Sequence, residues 1–151
     1  MTEHDAPATT PPHVLAPGDP PLALTVDPRR RYVPTGIVVR AGERYRITAT
    51  GTWRDASKLC GPEGWGGGWL KRRARLRGAA LFALCGSIGR DDTHAFAIGR
   101  TLDWTVPASA AVGDDPVLCL FANDWHFMYW NNQPAAPSEG GPLRVTIERL
   151  P

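Results

Sequence analysis

The sequence predicts an all-β chain: an antiparallel β-sandwich of jelly-roll type, about eight strands, with its function in the end loops. Three observations carry that expectation. Glycine (16) and proline (15) are abundant among 151 residues, which favours many short strands and turns over long helices. Several segments alternate large apolar with polar side chains, the two-residue period of a half-buried strand. No segment reads as a helix.

Taken in order, residues 1–21 are rich in Pro, Thr and Ala. They carry too little apolar surface to offset chain entropy, so a mobile tail is expected there, with the packed domain over 22–151. Residues 22–26 are the first strand, and Arg29-Arg30-Arg31 is a short charged turn. Residues 36–39 are apolar throughout and end at the Ala41-Gly42-Glu43 turn. Residues 45–50 alternate as a half-buried strand should. Residues 54–78 show no period and contain Gly61-Pro62-Glu63-Gly64 and Gly66-Gly67-Gly68, so a long functional loop is expected. Residues 79–88 form a long apolar strand, closed by Gly89-Arg90-Asp91-Asp92. The two carboxylates there are expected to cap the turn. Short strands follow at 95–98 and 102–106, then a small-residue loop over 108–116, a strand over 117–121, a Pro/Gly/Ala insertion over 133–141, and a closing alternating strand over 143–149.

The length fits one domain with a single buried core. A formal charge of +2 does not imply an acidic partner by itself. No apolar run reaches the roughly 18 residues of a membrane helix. The start, Met1-Thr2-Glu3-His4-Asp5, lacks a basic segment and an apolar signal core. A cytoplasmic protein as synthesised is therefore expected, with release by another route left open. Three cysteines cannot all pair. Cys85 and Cys119 sit in apolar runs and are expected to be buried and reduced; Cys60 precedes a Gly-Pro turn. A reducing compartment fits.

The stretch with most chemical content comes after the 117–121 strand. Asp124 opens a loop that Asn131 and Asn132 close, so three hard oxygen side chains can converge on one point. Calcium takes about six to eight such oxygens. The same residues can instead form Asx turns that only shape the loop. Phe127, Met128, Tyr129 and Trp130, between them, are either buried beneath the loop or presented to a ligand. A second candidate is the basic run Lys71, Arg72, Arg73, Arg75 and Arg77, flanked by Trp69 and Phe82. It is either a solvated loop or a phosphate track with an aromatic for base stacking, which steep salt dependence would reveal. Nucleic acid is the weaker expectation. Cys60, His126 and several carboxylates fall into no nucleophile–base arrangement, and no Walker loop, dinucleotide fingerprint or zinc spacing is present. Enzymatic activity is not expected.

These features together resemble the PA-I type galactophilic lectins, small calcium-dependent bacterial sugar binders. The residues that carry the resemblance are Gly51-Thr52-Trp53, Gly61-Pro62-Glu63-Gly64, Ala83-Leu84 through Ile88-Gly89, Asn123-Asp124, Tyr129, Asn131-Asn132 and the closing strand. The resemblance runs from about Leu22 to Leu150, with gaps in the long loop and after Gln133. It implies a galactose-binding-like sandwich and a bound Ca2+ ion. The side chains of Asp124, Asn131 and Asn132 would hold the ion, with the backbone carbonyl of Met128 and one from Asp55 or Ala56; Asp55 can instead offer its carboxylate. Two vicinal sugar hydroxyls would complete the shell, with Asp124 and Asn131 also bonded to them.

The family's sugar-reading histidine and glutamine are missing from the long loop, which holds Trp65, Trp69, Lys71, Arg72 and Arg73 instead. Trp125 and Trp130 are larger than their family counterparts. Sugar contacts are accordingly expected from Asp124, Trp125, Met128, Asn131, Trp69 and Arg72, with galactosides or acidic glycans as partners. The resemblance also implies homo-oligomers. The alternatives are a sandwich that has lost sugar binding and serves as an interaction module, or a polyanion binder using 71–77.

Overall fold

Alternation builds the first sheet. In the computed structural model, which describes residues 11–110 and 116–151, β3 (Arg44–Thr50) buries Tyr45, Ile47 and Ala49 and turns its arginines and threonines outward. It pairs along its whole length with β12 (Arg144–Leu150), from Arg144 opposite Thr50 to Leu150 opposite Arg44. With β1 (Leu22–Thr25) and β9 (Thr101–Thr105) these strands form an antiparallel sheet in the order β1-β12-β3-β9.

The second sheet has the order β2-β10-β7-β6: β2 (Val33–Val38), β10 (Val117–Ala122), β7 (Leu81–Ile88) and β6 (Glu63–Gly66). The short β8 (Phe96–Ala97) is joined to β7. The two sheets close over one core. Tyr45, Ile47, Val145 and Ile147 from the first meet Ile37, Leu84, Leu118 and Leu120 from the second, all fully buried. Each such side chain contributes roughly 1.5–3 kcal/mol through burial. The all-β sandwich is as predicted.

β7 is buried at all eight positions, so both of its faces are covered. Phe82, Leu84 and Ile88 point into the central core, while Cys85 joins Phe121 of β10 and Ala79 in a second cluster on the opposite face. Strands buried on both sides read as continuous apolar runs, and the 79–88 stretch is one. Cys85 and Cys119 are buried and Cys60 is partly buried. Burial pushes the Cys60 and Cys85 thiols up to about 12.

Three expectations are corrected by the fold. There are twelve strands among the described residues, not about eight. The 54–78 region is not a structureless loop. It contains β4 (Trp53–Asp55, which begins one residue earlier), β5 (Lys58–Cys60), β6 and a 3-10 turn over Gly68–Arg73. These pieces of three to six residues are too short and too glycine-rich to show a period. β4 and β5 join β11 (Asn132–Pro134) in a small third sheet, order β11-β4-β5. Finally, the packed chain begins before Leu22. The His13 N–H donates to the Gly36 carbonyl at 2.8 Å, and Leu15 is buried in the core. Residues 1–10, the rest of the expected tail, lie outside the described residues.

Candidate functional site

The end of β10 becomes a site because an asparagine and an aspartate come directly after its last residue. Asn123 is fully buried. Its Oδ1 accepts from the Leu76 N–H at 3.0 Å, and its Nδ2 donates to the carbonyls of Leu76, Ala79 and Ala80. That one amide clamps the 76–80 backbone against the strand end. Asp124 comes next, with its carbonyl accepting from the Arg75 N–H at 3.1 Å and its Oδ1 from the Trp125 N–H at 2.7 Å. The chain turns back through a Met128 N–H to Trp125 carbonyl bond of 3.1 Å and a short 3-10 turn over Tyr129–Asn131. Tyr129 is buried beneath the loop, its hydroxyl donating to the Ala122 carbonyl at 2.6 Å.

β11 then delivers Asn132 directly opposite Asp55 of β4. The Asn132 Nδ2 donates to the Pro28 carbonyl at 2.9 Å. A carbonyl accepts only from the amide nitrogen, so the orientation of this side chain is fixed and its Oδ1 is turned away from Pro28. The Ala56 N–H donates to the Asn131 carbonyl at 3.2 Å. Ala56 itself sits at φ +52°, the left-handed region that a non-glycine residue enters at a cost.

Among the described residues four buried side-chain polar atoms have no hydrogen-bond partner, and three of them are Asp124 Oδ2, Asn131 Oδ1 and Asn132 Oδ1. Leaving a buried acceptor unpaired costs about 1–3 kcal/mol. Three such acceptors on one loop are a concentration of unmet acceptor capacity, and they are the three side chains singled out in the sequence. Asp124 is only 4% exposed. Burial pushes its carboxyl up to about 6, the Asp55 carboxylate pushes the same way, and the Trp125 N–H counteracts in part. The neighbouring Asn132 side chain also eases the charge, without forming a hydrogen bond to Oδ2. Asp55 commits one carboxylate oxygen to Trp65 Nε1 at 2.9 Å. No three acidic, histidine or cysteine side chains gather at one point among the described residues. An ion held here would therefore rest on a mixed set of carboxylate, amide and carbonyl oxygens, which suits a hard cation.

Of the residues predicted for the site, Asn131, Asn132, Asp55 and Ala56 are brought together by the β4–β11 pairing and the Ala56–Asn131 bond. Asp124 reaches them from the end of β10, within electrostatic range of Asp55 and Asn132, and Met128 lies within the turn. Those predicted for sugar contact divide. Trp125 is half-buried: its Nε1 donates to the Leu70 carbonyl at 2.9 Å and its backbone bridges Ala74. It fastens the long segment to the loop. Trp69 is 73% exposed and Arg72 is exposed, both on the Gly68–Arg73 turn. Phe127 and Trp130 are also exposed, at 84% and 76%.

Arg75 does not belong to a solvent-facing basic run, as the sequence suggested. Its side chain is fully buried and pairs with both oxygens of Asp92, at 2.7 and 3.0 Å. It also donates to the Arg31 carbonyl at 2.6 Å and the Tyr129 hydroxyl at 2.9 Å. The guanidinium stacks on Phe121 at 3.6 Å. Asp92 additionally accepts from the Tyr32 hydroxyl at 2.7 Å, so it is an ion-pair partner rather than a turn cap. Asp91 is the one that caps, through Thr93. No local sequence signal connects Arg75 to Asp92; the fold does.

No protein-family model matches the chain, and no curated protein matches it by sequence. A solved structure does match in shape. It is described as "EclA N-terminal domain; PllA-like lectin", with a TM-score of 0.59 over 85% of this chain and 95% of that chain, at 23% identity. The fold is shared with a lectin domain. The relationship is one of architecture and leaves the details of the site to this chain's own residues.

Proposed function

We propose that this chain is a calcium-dependent carbohydrate-binding lectin, with galactosides or related glycans as ligands. The observation that carries the reading is the trio of unpaired buried oxygens on Asp124, Asn131 and Asn132, in a fold shared with a lectin domain. A divalent cation would satisfy all three and neutralise a carboxylate that burial otherwise disfavours.

Asp124 Oδ2, Asn131 Oδ1 and Asn132 Oδ1 would hold the ion, joined by backbone carbonyls from Met128 and the Asp55–Ala56 turn or by the Asp55 carboxylate. The bound ion supplies open coordination positions for a vicinal sugar diol. The rest is done by the chain. The Asn123 clamp and the β4–β11 pairing fix the two halves of the oxygen cage. The exposed Trp130, next to Asn131, and the exposed Trp69 offer aromatic faces for the apolar C–H face of a sugar ring.

The test is calorimetry against the best ligand from a glycan array, with calcium and with chelator, for wild type and Asp124→Asn. The substitution keeps the shape and removes the central loop's carboxylate. Single-site sugar affinities of about millimolar to micromolar correspond to about 4–8 kcal/mol, so loss of roughly 3 kcal/mol puts binding out of range. A folded Asp124→Asn protein that binds sugar as tightly as wild type would sink the calcium-bridged mechanism.

A further inference from the structure

Beside the central loop lies an open cleft of about 460 Å³ lined by Arg30, Arg31, Tyr32 and Arg90. We propose that this cleft is an anion subsite. It would receive the sulfate or carboxylate group of an acidic saccharide seated at the central loop, an assignment that rests on the carbohydrate-binding reading above.

The cleft is strongly cationic. Three guanidiniums line one cleft, and none of the three forms an ion pair with a carboxylate among the described residues. The carboxylates nearest in sequence are engaged elsewhere. Asp27 is held by Arg29 through bonds of 3.0 Å to each oxygen, Asp92 by Arg75 and Tyr32, and Asp91 by Thr93. Arg30 feels the Asp27 carboxylate that Arg29 holds, but three guanidiniums leave the cleft with an excess of positive charge, and like charges repel one another. A bound anion relieves that, and the planar guanidinium fork matches sulfate and carboxylate oxygens in pairs.

The cleft also adjoins the central loop. The chain segment that carries Arg30 and Arg31 is tied to the central loop at both ends. The Pro28 carbonyl accepts from Asn132 Nδ2, and the Arg31 carbonyl accepts from Arg75, whose N–H also holds the Asp124 carbonyl. The Arg31 guanidinium meets His126 Nδ1 at 3.1 Å. His126 is two residues from Asp124, and two residues of chain span at most about 7 Å. A disaccharide with one ring at the loop is therefore long enough to place a charged substituent in the cleft. A nucleic acid would instead track a stripe of cations along its backbone. The 71–77 run does not supply a continuous one, because its Arg75 is buried in the Asp92 pair.

The experiment uses the full chain in calcium, with lactose, lactose 3′-sulfate and sodium sulfate as probes, and the variant Arg30→Gln/Arg90→Gln. The expected result is that wild type binds lactose 3′-sulfate at least tenfold more tightly than lactose. The double variant should bind both with the affinity wild type has for lactose. Equal affinities in wild type, or a tenfold preference retained by the double variant, would overturn the proposal. Sodium sulfate followed by the arginine side-chain NMR signals separates the two readings. Saturable shifts at Arg30 and Arg90, with neither saccharide bound, would mean that the carbohydrate reading had failed and the saccharide part of the proposal with it. Linear, unsaturable shifts while lactose still binds would overturn the subsite and leave the lectin reading standing. Tighter binding to a DNA oligomer than to lactose 3′-sulfate, with steep salt dependence, would also overturn the acidic-saccharide assignment.

Discussion

Asp124 holds a carboxylate where water reaches little of it and no donor meets its Oδ2. In the folded chain its carboxyl rises from an ordinary value of 3.8 to about 6, so the native state favours the proton. The sign comes from linkage. This contribution to stability is complete below about pH 4 and is lost as pH rises through about 6, on the order of 3 kcal/mol in all. In chelator, the stability of wild type minus that of Asp124→Asn should fall across that window, measured by urea unfolding at a series of pH values. On the proposed calcium reading the competition reverses: a proton on Asp124 would displace the ion, and calcium affinity should drop about tenfold per pH unit below about 6. A stability difference that does not change with pH would show that Asp124 is already neutralised by a group of the protein. At this scale the sequence was informative because the spacing of Asp124, Asn131 and Asn132 is local. Asp55 entered only through resemblance, and its place opposite Asn132 is a product of strand pairing across 77 residues (132 − 55).

At the scale of elements, the segment between β6 and β7 is held by polar anchors more than by a hydrophobic face. Asn123 clamps its backbone, Trp125 fastens its 3-10 turn, and Arg75 ties it to Asp92, Tyr129 and Arg31. Removing one partner of a buried ion pair costs about 3–5 kcal/mol. Asp92 keeps its Tyr32 bond and some exposure, so Arg75→Gln should cost about 3 kcal/mol in urea unfolding and weaken calcium binding through the Asp124 backbone. A loss under about 1 kcal/mol would mean that Arg75 is dispensable to the loop. The basic run therefore cannot be replaced as a unit without touching the Asp124 loop: Arg72 and Arg73 are exposed, whereas Arg75 holds the loop. Gly64 is the other fixed point, at φ +76° in β6. A methyl there would strike the Leu81 carbonyl and approach the Ala83 nitrogen to 2.5 Å. Gly64→Ala should therefore destabilise by at least about 2 kcal/mol, read as a lowered urea midpoint. An unchanged midpoint would show that β6 can shift. The long alternating strands β3 and β12 were legible because seven residues show a period. β4, β5 and β6 were not, because three or four residues cannot.

At the scale of the molecule, one end of a sandwich carries everything distinctive: the oxygen cage, the exposed Trp69, Phe127 and Trp130, and the arginine cleft. The core beneath is ordinary, and its class was readable from alternation and turn composition. The placement of Asp92, Arg75 and the Arg30–Arg31 turn beside the central loop was not, since each depends on contacts between distant parts of the chain. The central claim is that Asp124, Asn131 and Asn132 leave their oxygens unpaired because they hold a divalent cation. The measurement that tests it most directly is a calorimetric titration of chelator-stripped protein with calcium, paired with melting temperatures. The account predicts one saturable site per chain, lost in Asp124→Asn. It also predicts a rise in melting temperature of about 5–10 °C when calcium stands at about 100 times its dissociation constant, where binding adds roughly 2.7 kcal/mol. Identical melting temperatures in calcium and in chelator, with no saturable heat, would contradict it.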